Sequence, residues 1–157
     1  MEPAGEAEAL ADWIAPLASS LQQGPFRLAQ MAEGRFCDFP DTHLSLATEP
    51  SRRALGQMAG QDLHPVRFRM NLWLEGTAPW EELDWEGQSI EIGPVRLEIT
   101  ARDTRCAATS ASPATGARDI EIPALLHQHF GHKDFGVYAT VTRGGTIRVG
   151  DQVTLPA

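Results

Sequence analysis

An arginine stands directly before a cysteine in the run Arg102-Asp103-Thr104-Arg105-Cys106-Ala107-Ala108-Thr109-Ser110. A positive neighbour favours the ionised thiol, and the thiolate is the form that attacks, carries sulfur or binds a soft metal. A single cysteine taken alone is more often a small buried hydrophobe, so its setting must decide. Thr109 and Ser110 offer hydroxyl donors to the same anion, although turn capping is the commoner use of such residues. A second group lies in Arg67-Phe68-Arg69-Met70-Asn71. Strand alternation would put Arg67, Arg69 and Asn71 on one face, two residues apart. Guanidinium forks suit carboxylate, phosphate and oxoanion groups. The bland alternative is a solvated face with ion pairs to Glu98 or Asp103, each worth about 0–1 kcal/mol. Burial of these arginines would instead call for an anionic ligand.

Other reactive residue types carry weaker signals. His127, His129 and His132 superficially resemble a metal cluster, but residues 127 and 129 of a helix do not face each other. Cys37 reads as packing, Trp80 and Trp85 as core or barrel lid, and Tyr138 as a core residue with a hydrogen-bonded hydroxyl. The chain has one lysine, Lys133, and twelve arginines. Arginine forms no Schiff base, so pyridoxal phosphate chemistry would rest on Lys133 alone in Gly131-His132-Lys133-Asp134 and is not expected in this chain.

These residues sit in a chain of 157 residues, enough for a core of its own, with 42% hydrophobic and 22% charged residues. The formal net charge of −8 argues against nucleic-acid or anionic-membrane binding, which needs a basic face. No apolar run approaches the ~20 residues of a membrane span. The start, Met1-Glu2-Pro3-Ala4-Gly5-Glu6, lacks the basic region of a signal peptide. Two cysteines make no disulfide framework, which together with the acidic start predicts a cytoplasmic location.

Leu10, Trp13, Ile14, Leu17 and Leu21 predict a helix over 6–22, kinked at Pro16. Phe26 to Met31 predicts a strand, 33–43 is irregular, and Leu44 to Ala47 predicts a short strand. Thr48 is an N-cap, with Pro50 in the first turn of a helix reaching about Met58. Residues 66–75 give the clearest strand pattern, Phe68, Met70, Leu72 and Leu74 alternating with Arg67, Arg69, Asn71 and Trp73. A Trp-rich connection runs from Gly76 to Gly87. Ser89 to Ile92 and Val95 to Thr100 predict a hairpin about Gly93-Pro94. Residues 119–130 predict a short helix with Pro123 near its start. Phe135 to Thr142 predicts a strand, Gly144-Gly145 a tight turn, Thr146 to Val149 the returning strand, and Gln152 to Leu155 another after a Gly150-Asp151 turn. Short alternating strands with glycine turns predict a mainly β fold, a small barrel with a few helices.

From about Gly34 to Leu155 this order of segments resembles the MOSC domain, which is the C-terminal domain of molybdenum cofactor sulfurase and occurs in stand-alone and amidoxime-reducing molybdenum proteins. The resemblance rests on Arg67-Phe68-Arg69-Met70-Asn71-Leu72, on Trp85-Glu86-Gly87 with Ile90-Glu91-Ile92-Gly93, and on Arg105-Cys106. It continues in Pro113-Ala114-Thr115-Gly116-Ala117-Arg118-Asp119, Phe135-Gly136-Val137-Tyr138 and Gly145-Thr146-Ile147-Arg148-Val149-Gly150-Asp151. It implies one MOSC-type β-barrel domain over 1–157, with a helical part over 1–33 and the barrel core over 34–157. It also implies the molybdenum cofactor (molybdopterin). Cys106 would be the molybdenum ligand or persulfide carrier, and Arg67, Arg69, Asn71, Arg105 and Thr109 would lie at the cofactor. A cysteine desulfurase or an electron-donor protein would be the partner, for sulfur delivery or for reduction of N-hydroxylated compounds respectively. The chain departs from the family pattern twice. Asp103 stands where many members carry the first cysteine of Cys-x-Arg-Cys, so dithiol exchange within the motif is not available. No Pro-Ile/Val-Lys motif precedes Glu6, which predicts a shortened member whose exposed barrel edge invites a homodimer or leaves a non-catalytic interaction module.

Overall fold

A computed structural model describes residues 4–18 and 44–155. The chain divides into two units, Met1–Asp38 and Phe39–Ala157. In the first, helix α1 spans Ala4–Ala18 with Pro16 inside it. The rest of the predicted helix, the strand at Phe26 to Met31, the irregular 33–43 segment and Cys37 lie outside the described residues.

The second unit is built on a six-stranded, nearly closed barrel-shaped sheet in the order β2-β1-β5-β4-β3-β6. Its strands are β1 (Leu44–Thr48), β2 (Leu72–Leu74), β3 (Ser89–Ile92), β4 (Val95–Thr104), β5 (Asp134–Arg143) and β6 (Val153–Thr154). Only the β1–β2 pair is parallel. Helices α2 (Glu49–Ala59) and α3 (Ile122–Phe130) accompany it. Helix α2 starts as expected. The Thr48 hydroxyl accepts the Ser51 N–H at 3.3 Å, and Pro50 lies in the first turn, where a missing N–H costs nothing. It ends at Gly60, whose left-handed backbone only glycine adopts without strain.

Hydrophobic residues fill two clusters. Leu46, Leu74, Trp85, Ile90, Leu97, Ile99, Val137 and Ala139 make one, and Ala47, Leu55, Leu63, Phe68, Ile122, Leu126 and Phe135 the other. Leu46 and Ala47 are adjacent and fully buried in different clusters, so β1 is covered on both faces. Phe135 and Val137 would share a face in a regular strand, yet they serve different clusters. The switch falls at Gly136, with φ +78°, beside a register shift between Arg102 and Thr104. A Cβ there would stand 2.6 Å from the Leu46 carbonyl oxygen. Gly136→Ala is therefore expected to destabilise the chain by at least about 1 kcal/mol, read as a lower urea midpoint.

Two predicted strands differ. Most of 66–75 is not strand. Pro65–Phe68 forms a 3-10 turn, Arg69 adopts the left-handed conformation at φ +55°, and only Leu72–Leu74 joins the sheet. Pro65 begins the turn, and the His64 ring nitrogen Nδ1 caps it by accepting the Val66 N–H at 3.2 Å. Thr146 to Val149 forms no strand either. Asp151 accepts the Arg148 N–H on its carboxylate at 2.8 Å and donates its own N–H to the Arg148 carbonyl at 3.1 Å, closing a turn that leaves Val149 fully exposed.

Candidate functional site

Cys106 lies just beyond β4 and is exposed. It starts a 3-10 turn, Ala107–Ser110, and its carbonyl accepts both the Thr109 N–H at 3.2 Å and the Thr109 hydroxyl at 2.8 Å. Thr109 is buried and its hydroxyl caps this turn, so it acts as a frame for the cysteine.

The neighbouring arginine is held by Asp103 and the Phe68 carbonyl. Arg105 and Asp103 are two residues apart on a strand end, hence on one side of it. The Arg105 guanidinium is 10% exposed, pairs with the Asp103 carboxylate through Nη1, and donates Nη2–H to the Phe68 carbonyl at 2.6 Å. Burial pushes the Asp103 carboxyl above its ordinary range, while the Arg105 charge and the Tyr138 hydroxyl pull it part of the way back. Asp103 thus holds Arg105 in place.

Arg67 and Arg69 do not share a face, because the turn and the left-handed residue replace the expected alternation. Arg67 is buried, with a side chain 5% exposed. Its Nη1 and Nη2 each reach one oxygen of Asp119 at 2.8 Å, and Nη1 also donates to the carbonyls of Thr109 at 3.0 Å and Ala111 at 3.1 Å. The Arg67 hydrogen bonds hold the Asp119 carboxyl below its ordinary range. Asn71 is also occupied. Its Oδ1 accepts the Ser45 N–H at 2.8 Å and the Ser45 hydroxyl at 3.1 Å, and its own N–H donates to the Ser45 carbonyl at 3.0 Å. Arg69 differs from all of these. It is exposed, and among the described residues its side chain makes no hydrogen bond or ion pair.

The structure therefore brings Cys106, Thr109, Arg67 and Arg105 together around one turn, tied through the Phe68 carbonyl to the segment that carries Arg69 and Asn71. Among the described residues Arg67 and Arg69 pair with neither Glu98 nor Asp103, as the bland alternative had it, and the acid of Arg67 is Asp119, 52 residues away. Among the described residues no group of three or more His, Cys, Asp or Glu is placed to hold a metal ion. The His132 Nδ1 accepts the Asp134 N–H at 3.0 Å, and its ring stacks on Phe130. Trp85 is core, Trp80 packs on Phe130 at 4.6 Å between centroids, and the Tyr138 hydroxyl bonds Asp103.

One buried acid escaped sequence reasoning. Glu82 is fully buried, its Oε2 accepting the Ser51 hydroxyl at 2.8 Å and the Thr48 hydroxyl at 3.1 Å at the start of α2, while Oε1 has no partner. In Glu81-Glu82-Leu83 the only signal was a short turn that must turn one residue inward. Burial raises the Glu82 carboxyl above its ordinary value, against the pull of the two hydroxyls. A raised folded value means that the protonated form contributes stability in full below the unfolded value, and that this contribution is lost as pH rises through the folded one. Glu82→Gln, which keeps the shape without the charge, is expected to gain stability relative to wild type as pH rises from acid to neutral. Urea unfolding across that range checks it, and a constant difference would contradict it.

The residues present fit a group that combines a soft metal with anionic oxygens. The Cys106 thiol is a soft ligand open to solvent, and Arg69 is an unpaired fork for an oxyanion. Among the described residues, Nε of Arg67 and Nε of Arg105 are buried N–H donors without an acceptor. An unsatisfied buried donor costs about 1–3 kcal/mol, which an incoming oxygen would relieve.

The MOSC domain family model matches residues 32–154, and the chain belongs to that family. Among curated proteins it is 37% identical over 76 residues, 48% of the chain, to molybdenum cofactor sulfurase of Anopheles gambiae, of which the match covers 10%. It is 29% identical over 120 residues, 69% of the chain, to mitochondrial amidoxime-reducing component 1 of Mus musculus, of which it covers 35%. The chain thus spans 10% and 35% of the length of these two relatives. Its fold is similar to the crystal structure of YiiM from Geobacillus stearothermophilus, with a TM-score of 0.57 at 18% identity, covering 74% of this chain and 55% of that one. No helix among the described residues is long and apolar enough to cross a membrane.

Proposed function

We propose that this chain binds the molybdenum cofactor through Cys106, the thiolate serving as metal ligand or as the carrier of a persulfide sulfur. What supports the reading is an exposed thiol at the start of a hydrogen-bonded turn, and an exposed arginine, Arg69, with no partner among the described residues on a segment hydrogen-bonded to Arg105, in a chain of this family. Bound there, the cofactor would supply a redox-active soft metal. The chain's own residues do the rest. Cys106 presents sulfur at a fixed position because its carbonyl caps the turn. Arg69 holds an anionic oxygen of the cofactor. Arg67, Arg105 and Thr109 fix the turn, and Asn71 fixes the Arg69 segment to β1. In the sulfur-carrier form a separate cysteine desulfurase loads Cys106.

A second reading, reduction of N-hydroxylated compounds with electrons from a haem or flavin protein, is favoured by the similarity to amidoxime-reducing components over 69% of the chain. X-ray absorption at the molybdenum edge tests the ligand assignment. The metal should lose one sulfur neighbour in Cys106→Ser, and an unchanged sulfur shell contradicts it. Turnover of an amidoxime by the loaded chain with a reduced haem donor supports the second reading, and none with the cofactor fully loaded removes it.

A further inference from the structure

The chain carries a net charge of −8, yet three cations on segments that adjoin the Cys106 turn make no ion pair among the described residues. Arg69, Arg118 and Lys133 are exposed, and none of their side chains makes an ion pair or hydrogen bond among the described residues. They come from separate segments, each hydrogen-bonded or bridged to the Cys106 turn or to Arg105 just before it. The Phe68 carbonyl, one residue before Arg69, accepts Arg105 Nη2–H at 2.6 Å. The Lys133 carbonyl accepts the Arg105 N–H at 2.9 Å. Arg118 pairs with Ala111, at the far end of the turn, in an antiparallel bridge.

Nearby acids are mostly engaged. Asp103 is held by Arg105 and Asp119 by Arg67. Asp134 accepts the Thr104 hydroxyl at 2.6 Å and lies 3.6 Å from the His132 ring. Glu121 is exposed, with only a 3.4 Å contact from the Ser110 hydroxyl. Arg67, Arg69, Arg105, Arg118 and Lys133 against Asp103, Asp119, Asp134 and Glu121 leave one positive charge in excess on these segments, on a chain that is negative overall.

We propose that Arg69, Arg118 and Lys133 form a cationic rim that steers the acidic face of a partner protein onto Cys106. The proposal rests on Cys106 being the working thiol and names the kind of partner that reaches it. Local fields, not net charge, govern approach at close range, and their effect on association rates falls with ionic strength. A rim drawn from separate loops suits a surface rather than one small ion. Charged rims of this kind act chiefly on encounter rate and on choice of partner.

The test uses the full chain carrying Cys37→Ser, so that Cys106 alone reports. Two peptides of equal length, one Glu-rich and one Gly/Ser-rich, each carry a cysteine activated as the 2-pyridyl disulfide. The Cys106 thiolate attacks the peptide sulfur, forms the mixed disulfide and releases pyridine-2-thione, which is read by absorbance. At low ionic strength the Glu-rich peptide is expected to react about tenfold faster than the neutral one, the ratio falling toward one with added salt. Arg118→Glu with Lys133→Glu should reverse the preference, read as the ratio of the Glu-rich to the neutral rate so that any change in the thiolate fraction cancels. A ratio below one at low salt, rising with salt as the net charge alone demands, overturns the proposal. So does a ratio unmoved by the double substitution, and so does an enhancement confined to the small dianion dithiobis(nitrobenzoate). None of these outcomes alters molybdenum binding through Cys106, so failure of the rim and failure of the cofactor reading remain distinguishable.

Discussion

Replacing Arg67 with alanine is expected to destabilise the chain by about 2–4 kcal/mol, because the carbonyls of Thr109 and Ala111 lose a buried donor at about 1–3 kcal/mol each. The pair with Asp119 faces solvent on the acid's side and adds little to this. The loss should also be felt at Cys106, since Arg67 holds the turn that begins there. Urea unfolding reads the first effect and the rate of thiol alkylation the second. Arg67→Lys should fall between alanine and wild type, because an ammonium cannot reach two carbonyls and a carboxylate in one plane. Asp119→Asn added to Arg67→Ala should change little further, the two sharing one network. A loss under about 0.5 kcal/mol, the range of ordinary surface changes, would contradict the role assigned to Arg67.

Arg69 should behave in the opposite way. It is exposed and unpaired, so Arg69→Ala is expected to leave folding nearly unchanged. Cofactor affinity should fall ten- to a hundredfold, matching about 1.5–3 kcal/mol for a hydrogen bond to a charged group. The left-handed backbone at φ +55° adds a useful control. Glycine is unstrained there, so Arg69→Gly should be slightly more stable than wild type while losing the same affinity. The pair of variants separates binding from folding. Retention of the cofactor at wild-type affinity in both would remove Arg69 from the site. A parallel fall in stability and affinity would make it another frame residue like Arg67.

The contrast between Arg67 and Arg69 marks the limit of what the chain discloses as text. Six motif runs in family order were legible, and the barrel, the β3–β4 hairpin, α3 and the Thr48 cap of α2 followed from them and from local pattern. Residues 66–75 misled because apolar residues every second position fit equally a 3-10 turn, a left-handed residue and a short strand. Only backbone geometry distinguishes them, and with it the two arginines part company. The pairing of Arg67 with Asp119 spans 52 residues and has no local signature. Arg105 looked like the activator of Cys106 because it precedes it, yet strand alternation sends its side chain to Asp103. Thr146 to Val149 read as a returning strand, but the Asp151 side chain completes a turn instead. Cys106 itself was legible, because its exposure suits a strand-end position entering a loop.

The most direct measurement is the molybdenum and pterin content of the chain purified without oxygen from a host that makes the cofactor, wild type beside Cys106→Ala. The account predicts molybdenum near one per chain in the wild type and its loss in the variant, with unfolding curves that coincide once both are stripped of cofactor. Equal molybdenum in both proteins would contradict the assignment of Cys106 as metal ligand. Its absence from both, with no added sulfur on Cys106 by mass after incubation with a cysteine desulfurase, would contradict the proposed function in either form.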